Sequence, residues 1–169
     1  LLVEQPNGDY AVTMTKQFLY DAWHFAVLQG LAGSSDERIA GIAAKALKEV
    51  TYHLRRSSKW VQRLGGGTAE SRQRILAAIA SLWRFTVELT AGSDNEGQLA
   101  KAGIAADPGA VGAAWLKQVS ETFASVELPL PKAASHFYLD GRKGLHTEHL
   151  GLLLAEMQFL PRAYPDATW

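Results

Sequence analysis

The fold turns on the stretch Ser34-Ser35-Asp36-Glu37-Arg38-Ile39-Ala40-Gly41-Ile42-Ala43-Ala44-Lys45-Ala46-Leu47-Lys48-Glu49-Val50-Thr51-Tyr52-His53-Leu54-Arg55-Arg56-Ser57-Ser58-Lys59-Trp60-Val61-Gln62-Arg63-Leu64, which closes on Gly65-Gly66-Gly67. Within it Ile39, Ala43, Ala46, Val50, His53, Ser57, Trp60 and Leu64 recur at alternating spacings of four and three. That spacing is the seam of one long amphipathic helix. Ser34-Ser35-Asp36-Glu37 reads as a capping box that opens it, and the glycine triplet as its end. At 1.5 Å rise per residue the helix extends for about 43 Å.

On the N-terminal side, Pro6-Asn7-Gly8 punctuates the start of the chain and Asp9 can cap a helix to about Leu31, with Met14, Phe18, Asp21, Phe25 and Leu28 on one stripe. Two long helices joined by a short turn are the geometry of a ferritin-like bundle. On the other side, Thr68 starts a third helix to about Leu89, with Ile75, Ile79, Leu82, Thr86 and Leu89 inward and Arg72, Arg74 and Arg84 mostly outward. Residues 91–109 read as irregular. Asp107-Pro108 predicts a helix over about 108–126 through Val111, Trp115, Val119 and Phe123, followed by an extended Leu128-Pro129-Leu130-Pro131. A last helix, from Gly144 to Leu160, is expected to be buried through Leu150, Leu153, Leu154 and Met157, with Pro161 ending or kinking it. No run alternates as a half-buried strand does, so the fold class is all-α.

The 169 residues are enough for one sizeable core, and a single domain over 1–169 is expected. Seventeen basic and seventeen acidic residues cancel, which leaves no overall field to attract nucleic acid or an anionic membrane. The absence of cysteine excludes disulfides, thiolate metal sites and thiol nucleophiles, and suits a reducing, cytoplasmic setting. No stretch reaches the roughly 18 apolar residues that span a bilayer, and no signal-peptide layout is present. The chain opens on Leu1 rather than Met, which suggests a clipped chain with structure missing before it.

Inward acids on two helices, combined with Glu-x-x-His pairs on two others, make a carboxylate-bridged di-iron site. Asp21 and Glu49 lie near the middles of the first two helices, and counting from their shared turn places them within about one helical turn of each other. The spacing departs from the ligand pattern, because Tyr52 stands three residues after Glu49 and His53 stands four after it. Two readings follow. Glu49 and His53 face the same way and hold a metal, or they bond inside the bundle while a basic residue matches Asp21. A second cluster, His146-x-x-His149 with Glu148 and the upstream His136, is either a chelate or a helix start with Thr147 as cap. The basic pairs Arg55-Arg56 near Trp60, and Arg142-Lys143 near Phe137 and Tyr138, read as solvated faces or a protein interface. Phosphate-loop and serine-nucleophile motifs are absent.

Three longer phrases are more specific: Leu2-Val3-Glu4-Gln5-Pro6-Asn7-Gly8-Asp9, Ala44-Lys45-Ala46-Leu47-Lys48-Glu49-Val50-Thr51-Tyr52-His53-Leu54-Arg55, and His146-Thr147-Glu148-His149-Leu150-Gly151 through Ala155-Glu156-Met157-Gln158. Over nearly its whole length the chain resembles the PaaC-type family, the non-catalytic C component of ring-1,2-phenylacetyl-CoA epoxidase, a bacterial multicomponent monooxygenase of aerobic phenylacetate breakdown. The resemblance implies a ferritin-like, non-catalytic structural subunit with no cofactor. It also implies a heteromer with the related di-iron catalytic subunit, the A component of the enzyme, and homo-oligomer contacts as well. Asp21, Glu49 and Tyr52 match the positions where the catalytic relative has a carboxylate and then an acid-x-x-His, so Tyr52 marks a vestigial, metal-free site, with His53 beside it. Family members are longer at the N-terminus, and the chain corresponds to the last two-thirds, without an N-terminal helix pair. A bundle lacking that pair is expected to expose the Ile39–Leu64 seam and to dimerise or aggregate. Arg142, Lys143, His146 and His149 are candidate interface residues, and contact with a coenzyme A tail is an open alternative for them. Two further alternatives are a di-iron oxygenase acting through Glu49 and His53, and a stand-alone helical binding module.

Overall fold

Capping chemistry sets where the helices begin. Asp9 accepts from the Val12 amide and opens α1 (Tyr10–Leu31). Asp36 accepts from the Arg38 and Ile39 amides and opens α2 (Glu37–Gly65), so the cap lies two residues past the expected Ser34. Ser34 instead donates to the Ile104 carbonyl at 2.7 Å and ties the α1–α2 turn to a distant loop. Thr68 caps α3 (Ala69–Leu82) through the Ser71 amide. A 3-10 turn (Trp83–Thr86) and the short α4 (Val87–Thr90) continue α3, where a single helix to Leu89 is expected. The region read as irregular contains α5 (Asp94–Lys101), opened by a capping box between Ser93 and Glu96. Asp107 caps α6 (Pro108–Ala124), as its Asp-Pro start predicts. After a second 3-10 turn (Gly141–Lys143), α7 (Glu148–Met157) and α8 (Phe159–Ala163) complete the chain.

This computed structural model describes residues 1–132 and 139–168, and among them there is no strand. The fold is an all-α, ferritin-like bundle in which α1, α2, α3 and α6 surround one core. Phe18, Val61, Ile75, Val119 and Phe123 are fully enclosed there. The Trp115 indole donates to the Leu19 carbonyl at 2.9 Å, which pins α6 to α1 and satisfies a buried polar group. No single helix is long and apolar enough to cross a membrane among the described residues.

The seam of α2 meets its expected line again at Ser57 but otherwise leaves it after Val50. Beyond it the buried positions are Leu54, Ser57, Val61 and Gly65, while His53 is exposed. A strict four-three repeat drifts by about 20° per heptad on a straight helix, and the packed face shifts to follow the helix. The seam is covered by α1 and the core, so the expectation that it stands exposed is overturned. At its end, a Cβ on Gly65 would lie 2.9 Å from side-chain methyls of both Leu128 and Val126, so any larger residue at that crossing requires them to shift. Arg72 is not outward. Its guanidinium donates to the carbonyls of Gly65, Val126 and Glu127 at 2.7–2.9 Å and clamps the crossing in place.

The last helix departs most from expectation. Leu150 is half-buried and Leu153, Leu154 and Met157 are exposed, with Leu152 the most open at 73%. Apolar residues there occupy every side of the helix, and α8 is the one described helix that makes more than slight contact with it. The break falls at Gln158, and Pro161 sits in the first turn of α8, where its missing N–H costs nothing.

Candidate functional site

Asp21 is the one buried acid at the centre of the α1–α2 interface, 1% exposed. Its carboxylate accepts from Gln17 Nε2 at 2.7 Å on one oxygen and from Ser57 Oγ at 2.8 Å on the other. Both donors are neutral, so the expected basic partner is replaced by an amide one turn back and a hydroxyl across the interface. Ser57 also reaches the His53 carbonyl at 3.0 Å, and so links Asp21 to the α2 backbone. Gln17 stands at i−4 to Asp21, a spacing that the sequence does display. Ser57 appears in the seam but carries no mark of its partner.

Glu49 and His53 do not bond inside the bundle; both are exposed, as is Tyr52 at 55%. The reason is height as well as angular position. Glu49 adjoins the buried Val50, and consecutive residues point about 100° apart around a helix. The α2 residue that meets Asp21 is Ser57, two turns beyond Glu49, so the expectation that Asp21 and Glu49 lie within about one turn of each other is overturned. His24, on the same side of α1, feels both Asp21 and His53. Burial lowers its imidazole pKa, Asp21 raises it, and His53 lowers it further. Tyr20, whose ring lies 5.4 Å from His24, has its phenol pushed up by burial and by Asp21.

A di-metal centre requires several oxygen and nitrogen ligands converging on a shared point. Among the described residues no three His, Asp or Glu side chains are grouped to hold an ion. Asp21 has both oxygens committed, and Glu49 and His53 face away from it. The residues present do not fit that group.

The second cluster divides into separate contacts. His146 Nδ1 lies 3.4 Å from Glu4 Oε1, a carboxylate whose side chain is 3% exposed, and His149 Nε2 stands 3.9 Å from Glu148. Thr147 takes the N-cap position without a side-chain cap bond; its hydroxyl accepts from Gln5 Nε2 at 3.4 Å instead. Glu4 and Gln5, which sequence reasoning passes over, thus join the first quoted phrase to the third. Arg142 donates to Glu96 at 2.8 Å and to the Ala91 carbonyl, and Lys143 pairs with Asp140 at 3.4 Å. Arg142 thus anchors the C-terminal segment to the α4–α5 region, whereas Lys143 pairs within its own turn. A cavity of about 720 Å³ lies beside them, lined by Arg84, Glu88, Asn95 and Leu145 among others. His136, Phe137 and Tyr138 lie outside the described residues.

A family model described as phenylacetic acid catabolic protein matches residues 1–169. The chain belongs to that family. The C component of 1,2-phenylacetyl-CoA epoxidase from Escherichia coli (strain K12) is 47% identical over 169 residues, which cover 100% of this chain and 68% of the relative. In this family member, the three phrases that carry the resemblance fall on the segment preceding α1, on α2 and on α7, and the first and last meet through Glu4 and His146.

Proposed function

We propose that the chain is a structural, non-catalytic subunit of a multicomponent phenylacetyl-CoA ring epoxidase in phenylacetate catabolism, assembled with the related di-iron catalytic subunit. The observation that carries this reading is the 47% identity, over the whole chain, to a protein named as the C component of that enzyme. The chemistry of the α1–α2 interface supports it. Asp21, Glu49 and Tyr52 match in sequence the ligand positions of the catalytic relative, yet Asp21 is held by Gln17 and Ser57, and Glu49, Tyr52 and the neighbouring His53 face solvent. Such a position keeps two helices in register without activating oxygen.

Residues 1–169 act in this reading as one ferritin-like domain, the C-terminal two-thirds of a longer subunit; the 68% coverage of the relative supports that division. A cytoplasmic location goes with the role, because coenzyme A thioesters are formed and consumed there. Contacts between copies of the chain join those with the catalytic subunit.

Native mass spectrometry with metal analysis, on the full chain alone and with the catalytic subunit, tests the proposal. Co-assembly and an iron-free chain are expected. Near-stoichiometric iron with oxo-bridged near-ultraviolet absorption in the chain alone, or turnover without the catalytic subunit, overturns it in favour of an oxygenase using Glu49 and His53. A native mass unchanged by the catalytic subunit overturns it in favour of a stand-alone binding module.

A further inference from the structure

We propose that the outward face of the C-terminal half of α2 is a docking surface for an acidic helix of another polypeptide in the same assembly. The inference rests on the reading of the chain as an assembly subunit and goes beyond it by naming a surface and the chemistry that fits it. Tyr52, Arg55, Arg56, Lys59, Trp60 and Arg63 follow one another at spacings of three and one, which places them in one stripe about 17 Å long. None of the four cations forms an ion pair among the described residues. The chain as a whole is neutral, so the positive charge here is a local concentration.

The fold alone does not call for it. Like charges at i, i+4, as in Arg55 with Lys59 and Lys59 with Arg63, oppose the helix that carries them. The helix dipole favours a cation in the last turn, which accounts for Arg63 and leaves the other three unexplained. Two of the side chains are also held in place. The Arg55 guanidinium lies 5.7 Å from the Tyr52 ring centre and that of Arg63 lies 5.0 Å from Trp60, whose ring is backed edge-on by Tyr10 at 5.1 Å. Arginines already laid against rings lose less freedom when they take carboxylates.

The shape selects the occupant. The depression between these side chains holds about 200 Å³ and is shallow and three turns long, which suits a straight helix bearing carboxylates at spacings of three and four. A second copy of this chain offers no such helix, because none of its described helices carries more than two acidic residues.

The test measures assembly of the full chain with the other epoxidase subunits over a salt series, comparing wild type, the neutral double variant R55Q/K59Q, the reversed variant R55E/K59E and a control, K117E, on α6. The neutral variant is expected to weaken assembly about tenfold and to flatten its salt dependence. The reversed variant weakens it further, and K117E matches wild type. The isolated neutral variant keeps or raises its Tm, since a repulsion is removed. Assembly of R55Q/K59Q with wild-type affinity and salt slope overturns the inference while leaving the subunit reading intact. A fall in the Tm of the isolated variant that accounts for its weaker assembly also overturns it, because the face is then packed within its own polypeptide. Failure of the wild-type chain to join any epoxidase subunit removes the subunit reading and this inference together.

Discussion

Helices α6 and α7 are both rich in apolar residues, and they end in opposite environments. Val111, Trp115, Val119 and Phe123 of α6 recur every four residues on one stripe, and all four are buried, the last three in the core that α6 shares with α1. In α7 Leu152, Leu153 and Leu154 follow one another around the helix, and none is buried. Apolar content therefore creates a demand for cover, whereas a single stripe facing an existing core is what meets it. The α7 segment is held at its root by polar contacts instead: Glu4 with His146, Gln5 with Thr147, Glu88 with the Gly141 amide, and Glu96 with Arg142.

Truncation on each side puts the contrast at risk. Phe123→Ala, in the centre of the core, is expected to lower stability by about 3–5 kcal/mol in denaturant unfolding. Leu153→Ala should stay within about 0.5 kcal/mol of wild type. Equal losses would show that α7 belongs to the same cooperative unit as α6.

Polar pinning gives the next effect in size. Asp21→Ala leaves the Gln17 amide and part of the Ser57 hydroxyl capacity unmet in a buried interface, at a cost of about 1–3 kcal/mol, with Asp21→Asn retaining part of that stability. Thermal unfolding of the pair checks it; a neutral Asp21→Ala would mean that the carboxylate is not what holds α1 to α2. At the root of the other region, Arg142→Ala should change global stability by less than about 1 kcal/mol. Amide exchange over 141–157 should nevertheless accelerate, and protection unchanged there would place the anchor elsewhere.

The smallest effect is a pH slope. His24 has its pKa lowered in the folded chain, mainly by burial. The unfolded chain therefore binds the proton first as pH falls, and stability declines from near the ordinary histidine value, about 6.5, downward to the lowered folded value. His24→Gln should flatten the unfolding midpoint over that interval. A slope of the opposite sign in wild type would contradict the burial.

Local chemistry is legible in the sequence where it acts within a few residues. The caps at Asp9, Thr68 and Asp107, the stripe of α6 and the length of α2 follow from side chains reaching amides two or three positions away and from helical period. The Ser93–Glu96 capping box is equally readable, but the glycines and polar residues around it point to a loop. At the candidate site, the tyrosine at position 52 and the acid at position 21 are visible as residue types in the sequence, while their surroundings are not. Whether Asp21 meets a cation, an amide or a hydroxyl depends on which residue of α2 arrives opposite it. That is set by the phase at which two long helices pack, an angle no local pattern records.

Sequence alone thus specified an all-α chain, most of its helix starts and its kinship, because propensity, capping and resemblance are carried by neighbouring residues. Tertiary packing settled that Ser57 rather than Glu49 faces Asp21, that Glu4 meets His146 across the chain, that Arg72 turns inward to clamp three carbonyls, and that the leucines of α7 lie uncovered. Most of these outcomes join elements far apart in the chain, and the energy that selects such contacts exists only once both surfaces are in place.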